Sequence, residues 1–220
     1  MLKHRNLGLL GAALTGAGFI PTPPLLGQAQ GGPIPGDSAV YAVDRSSRLL
    51  VHAGKSGLLK GFGHEHQVRA HAFRGTVVYF PLDLGRSRVS ITVRTDSLFV
   101  VPEADSADIP EITRTMREKT LRADSFPEIV FVSREVVLKD TAGTAGKAVV
   151  QVVGDLTVVG RTRPVTADLT LEVWADSLRA AGWFVVKQTD FGIKPYSKAL
   201  GLVKVKDEVR LELRMVALRR

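Results

Sequence analysis

Three stretches of this chain alternate strictly between apolar and polar residues. Val89, Ile91 and Val93 interleave with Arg88, Ser90, Thr92 and Arg94. Val165, Ala167, Leu169, Leu171 and Val173 do so with Thr166, Asp168, Thr170 and Glu172, and Val209, Leu211, Leu213 and Met215 with Glu208, Arg210, Glu212 and Arg214. A period of two assigns each stretch to a strand with one apolar and one charged face. Weaker patterns of the same kind place strands at 40–44, 48–53, 66–80, 128–137, 148–159 and 182–189. Residues 109–121 break the rule. Ile109, Ile112 and Met116 recur at spacings of three and four among good helix formers, with Pro110 near the first turn, which predicts one short helix.

About eight antiparallel strands in one domain imply a closed barrel or a sandwich. Alternation alone does not say which face is inside. A barrel that turned its apolar face to lipid would carry aromatic girdles at both interfaces. Only 6% of the residues are aromatic, with two Trp and three Tyr, and the opposite faces carry interleaved charges that suit water. The pattern therefore favours an all-β antiparallel barrel of about eight strands with an apolar interior, occupying residues 39–220. No internal repeat and no second domain is visible.

The first residues read differently. Lys3 and Arg5 precede a short run of Leu, Ala, Gly and Ile at 7–20, and small residues at 27 and 29 complete a cleavage pattern. The apolar run is too short for a stable spanning helix. Residues 1–29 are thus expected to be a secretory signal peptide, and 30–38 a Pro/Gly-rich leader. A retained membrane anchor is the alternative. Export to an oxidising compartment permits disulfides, but the chain has no cysteine, so burial and backbone pairing must hold the fold. The formal charge is +8; without residues 1–29, which hold two basic and no acidic residues, it is two less, +6, which suits anionic surfaces and allows transient membrane contact. Lys204, Lys206, Asp207, Glu208, Arg210, Glu212 and Arg214 show that the charges alternate in sign, as on a solvated face. With no aromatic–basic platform, nucleic acid is not an expected partner.

Candidate chemistry concentrates at "GKSGLLKGFGHEHQV", where His64 and His66 lie two apart after a glycine-rich turn. Both imidazoles could face the same way on a strand, as a metal site, a polar lid on a cavity or a structural pair. His71 has the wrong parity to join them, and the sequence does not place His52 or Asp190. With no acidic third ligand evident, neither a transition metal nor any other cofactor is expected. A metal-dependent activity centred on His64 and His66 remains the enzymatic alternative. No nucleophile elbow or phosphate-binding loop is present. Asp190, before a glycine, reads as a turn-capping carboxylate.

Five segments then occur in order: "YAVDRSSRLLVHAGKSGLLKGFGHEHQV", "GTVVYFPLDLGRSRVSITVRTDSL", "TMREKTLRADSFPEIVFVS", "VVGDLTVVGRTRPVTADLTLEV" and "DFGIKPYSKALGLVKVKDEVRLEL". Together they resemble the YceI-like family of lipid- and polyisoprenoid-binding proteins, over about residues 39–216. The resemblance implies an eight-stranded, lipocalin-like antiparallel barrel with an elongated apolar lumen, a periplasmic location, and a non-enzymatic carrier that holds an isoprenoid-type or other long-chain lipid. The candidate ligand-contacting residues are then Leu171 and Leu213 in the lumen, and His64, His66, Lys194 and Tyr196 at the mouth. Phe62 and Phe191 beside them complete the set. The "FGHEH" turn departs from the commonest family pattern, in which only one histidine of the pair is kept. A stress-linked interaction protein with a filled core is the third reading.

Overall fold

The computed structural model describes residues 38–56, 66–102, 107–140, 146–198 and 203–220. Five long strands form one side of the molecule: β7 (Glu128–Asp140), β8 (Lys147–Val158), β9 (Arg161–Val173), β10 (Ser177–Lys187) and β12 (Val203–Arg219). Six shorter ones form the other: β1 (Ala39–Val43), β2 (Arg48–Ser56), β3 (His66–Ala70), β4 (Phe73–Tyr79), β5 (Arg88–Arg94) and β6 (Leu98–Val100). The two-residue β11 (Ser197–Lys198) pairs with β12.

The sheet runs β1-β4-β5-β7-β8-β9-β10-β12, and β12 returns to β1, closing an antiparallel ring of eight. The short strands are halves of interrupted ones. β1 and β2 both lie against β12, at Ala217–Arg219 and at Lys204–Arg214. β4 pairs with β1 and its predecessor β3 with β2, while β5 pairs with β4 and its continuation β6 with β3. The chain therefore winds around the barrel as an up-and-down meander, and its first three staves are each broken once.

The stretch 66–80, expected as one strand, is such a stave, divided at His71 and Ala72. Each break strands backbone groups, and a hydroxyl meets them. Ser47 Oγ accepts from Val216 N and donates to Val216 O, both at 3.0 Å. Ser97 Oγ accepts from Ala72 N at 3.0 Å and donates to Arg94 O at 2.7 Å. Thr95 Oγ1 donates to Phe126 O at 2.7 Å, and Ser133 Oγ, beside a bulge in β7, accepts from Val89 N at 2.7 Å. Ser47, Ser87, Thr95 and Ser133 are the buried polar side chains among the described residues. Their burial follows from the rule that interior backbone groups must be paired.

The helix expected at 109–121 begins as α1 (Ile109–Thr115) and continues as a π-turn at Met116–Thr120, where Leu121 N bonds Met116 O at 2.8 Å. The apolar parities of all the strands face inward. Leu169 and Leu171 of β9, Val150 and Val152 of β8, and Leu178 and Ala180 of β10 are buried in one cluster with Tyr41, Met215 and Ala217. Val209–Met215 was legible in the sequence as the core of a strand that extends to 203 and 219. β10 begins five residues before the expected 182: Ser177–Ala181 has period two in burial, but Ala180 and Ala181 carry no contrast in hydropathy to show it.

Candidate functional site

The inward side chains do not fill the barrel. They enclose a cavity of about 680 Å3, within the ordinary range for ligand sites. Its walls are aliphatic along most of their length: Leu49, Val68, Ile91, Val152, Leu171 and Leu213 each come from a different stave. Leu171 and Leu213, expected inside from their alternation, thus face one another's lumen.

The two ends differ. One is closed by Tyr41, which is wholly buried and reaches Trp174 O at 3.4 Å, together with Leu178, Ala217 and the half-buried Tyr79 and Leu84. Burial pushes the Tyr79 hydroxyl above its ordinary value, with the neighbouring Tyr41 adding to it. At the other end, polar groups line the cavity: Lys55, His66, Gln188, Tyr196 and Lys204 from the strand ends, and Asp108, Glu111 and Thr115 from the helical segment. An apolar tube with a polar rim at one end suits an amphiphile: a long tail inside and a head at the rim.

His66 opens β3, half-buried, with the inward parity of Val68 and Ala70, and it lines the cavity. Phe191 is buried, packed with Leu156, Val159 and Ile193, and also lines the cavity. Tyr196 is 48% exposed at the rim. Lys194 is exposed and is not among the cavity-lining residues, because Phe191 and Ile193 take the inward positions of that turn. Phe62 and His64 lie outside the described residues.

The remaining histidines stand elsewhere. His52 is on the outer face, with Nε2 3.0 Å from Glu212 Oε2. Burial raises the Glu212 carboxyl, but its bond to His52 and the Arg214 guanidinium outweigh this and hold it below its usual value. His71 stacks at a tilt on Phe99, with ring centroids 4.2 Å apart. No three His, Cys, Asp or Glu side chains converge as a metal site among the described residues. Asp190 does not cap its turn. Asp207, in an irregular part of β12, does so instead, accepting from Thr189 N at 2.9 Å and from its hydroxyl at 2.7 Å.

Sequence reasoning missed Lys55, Gln188, Lys204 (read as part of a solvated face) and the helical contribution to the rim. Lys55 was findable, because it continues the inward parity of Leu49, Val51 and Ala53. The helical residues were not, because nothing local says that a helix replaces part of the wall.

Among the described residues the molecule is thus a lumen-bearing antiparallel barrel, lined by polar groups toward one end and packed around the buried Tyr41 at the other. Residues 41–217 match the YceI-like domain, and the chain belongs to that family. The same fold occurs in Burkholderia cenocepacia BcnA, at 20% identity and a TM-score of 0.60 over 79% of this chain and 98% of that one. A polyisoprenoid binding domain from Saccharophagus degradans implicated in plant cell wall breakdown is similar at 14% identity, with a TM-score of 0.59 over 83% and 99%. The Campylobacter jejuni YCEI protein is similar at 12% identity, with a TM-score of 0.54 over 70% and 84%. No curated protein sequence matches the chain. Among the described residues no helix is long and apolar enough to cross a membrane.

Proposed function

We propose that this protein is an exported, non-enzymatic carrier that sequesters an isoprenoid-type or similar long-chain lipid, the tail in the lumen and the head at the rim. The observation that carries the reading is the aliphatic cavity of about 680 Å3. At roughly 30 Å3 per non-hydrogen atom, as in liquid water, such a space takes about twenty atoms of a chain. Burying that chain at about 25 cal/mol per Å2 of apolar surface supplies affinity without a charged contact. The Saccharophagus degradans domain is described as polyisoprenoid binding, which supports the same ligand class here. The N-terminal pattern supports removal of residues 1–29 and a periplasmic location.

Native mass spectrometry of the protein taken from the periplasm of its own host tests the whole reading at once. The expected spectrum is that of a chain beginning at Gln30 with one bound lipid that organic extraction removes. A chain that retains Met1, or one that carries a stoichiometric metal in place of lipid, contradicts it.

A further inference from the structure

Among the described residues, neighbouring staves lack a strand ladder in two places: β9 and β10 are unpaired beyond Asp168 and Trp183, where Leu156, Val165, Phe184, Val186, Phe191 and Ile193 pack together, and a second seam lies between β6 and β7. β6 pairs with β3 only, and β7 pairs with β5 over Glu128–Val132. Beyond Arg94 and Glu128 no strand joins β6 to β7. Residues 109–121 lie across that interval. Ile109, Ile112, Met116 and Leu121 pack against Val68, Ala70, Leu98, Val100 and Ile129, and the inner face of the segment lines the cavity.

Its attachment differs in kind from that of every strand. In a ladder each second residue exchanges both backbone bonds with its partner. Among the described residues no backbone bond links α1 or its π-turn to β6 or β7. Two side chains serve the free edge of β6 instead: Thr113 Oγ1 accepts from Val100 N at 3.1 Å, and Arg117 Nε donates to Leu98 O. Neither Thr113 nor Arg117 lines the cavity. Parting any ladder of the barrel breaks a row of backbone bonds. Parting this seam breaks two side-chain bonds and separates apolar surfaces that an incoming lipid tail would itself cover. Local opening follows the least costly boundary, and π-turns recur where a helix must adjust for function.

We infer that the segment Ile109–Leu121 is a side gate, that a lipid tail passes between β6 and β7 sideways instead of threading end-on, and that Thr113 and Arg117 are its latch. This rests on the lumen being a lipid site.

The absence of cysteine makes the test clean. The probe is cis-parinaric acid, whose fluorescence rises in apolar surroundings, followed by stopped flow. In Thr113→Val with Arg117→Ala, uptake and release should both accelerate about tenfold, as for two lost hydrogen bonds, while the equilibrium affinity barely moves. The double variant Val100→Cys with Thr113→Cys places one thiol on each side of the contact between β6 and the helical segment, and a disulfide there, confirmed by mass, ties the segment to β6. Its oxidised form should exchange probe at least about tenfold more slowly than the same protein reduced. Bridged protein, verified by mass, that exchanges as fast as when reduced overturns the gate alone. Wild-type protein that binds no probe overturns the carrier reading and the gate with it.

Discussion

The two sides of the barrel bend by different means. On one side β7, β8, β9, β10 and β12 run 11 to 17 residues each. Curvature there comes from inward positions that carry no side chain. A Cβ on Gly154 would fall 2.5 Å from Val132 O and 2.6 Å from the Phe131 ring, and one on Gly182 would fall 2.5 Å from Asp168 O. Neighbouring backbone is simply too near for any other residue. From β1 to β6 the strands run 3 to 9 residues and bend mainly by stopping, with one such glycine, Gly75 of β4, where a Cβ would fall 2.8 Å from Ser90 O. The stranded backbone groups are then met by Ser47, Ser97 and Thr95. A tight barrel can thus be curved by deleting side chains or by breaking strands and splicing them with hydroxyls. The second route leaves room for a seam such as the one beneath α1, because an interrupted stave need not be paired along its whole length.

Substitutions separate the two mechanisms. Gly154→Val should have the largest effect. Its branches meet backbone and an aromatic ring that cannot retreat, so the loss should reach or exceed the ~3 kcal/mol upper end of ordinary overpacking. The fall in urea midpoint measures it, and a midpoint within experimental error of wild type would refute the close-approach argument. Ser47→Ala comes next. It leaves Val216 N without its hydroxyl partner in a buried place, so a loss of about 1–3 kcal/mol is expected. The same measurement should show Ser47→Thr retaining much of the stability if the hydroxyl is what matters. Equal losses for both variants would assign the effect to space instead.

The smallest effect on stability should come from Leu171→Trp or Leu213→Trp, although both enlarge an inward side chain on the continuous side. These positions face open lumen, where Gly154 faces backbone. Melting temperature should change little, whereas a filled core would lose about 1–3 kcal/mol to the same change. Lipid recovered with the purified protein should fall sharply. A marked drop in melting temperature with lipid content unchanged would mean that the two leucines do not border free space.

Much of this molecule is written locally. Alternation separates the two faces of β5, β9 and β12, because a strand's side chains have a period of two whatever surrounds it, and the few aromatics together with the charges opposite turn Leu171 and Leu213 inward. The spacing of Ile109, Ile112 and Met116 reveals a helix for the same reason. Parity likewise turned His66 toward the lumen and His71 away. What local pattern does not contain is the relation between distant segments. The division of 66–80 into two strands depends on where β5 also breaks, and Lys194 is outside the lumen because Phe191 and Ile193 compete better for the apolar side of one turn. The capping of that turn by Asp207, not Asp190, depends on an irregularity in a strand far along the chain. Whether the barrel is filled or hollow is a question of diameter, set by eight strands together and by glycines that let them approach. Periodicity fixes which side chains share a face; only closure of the sheet decides how much space they leave inside.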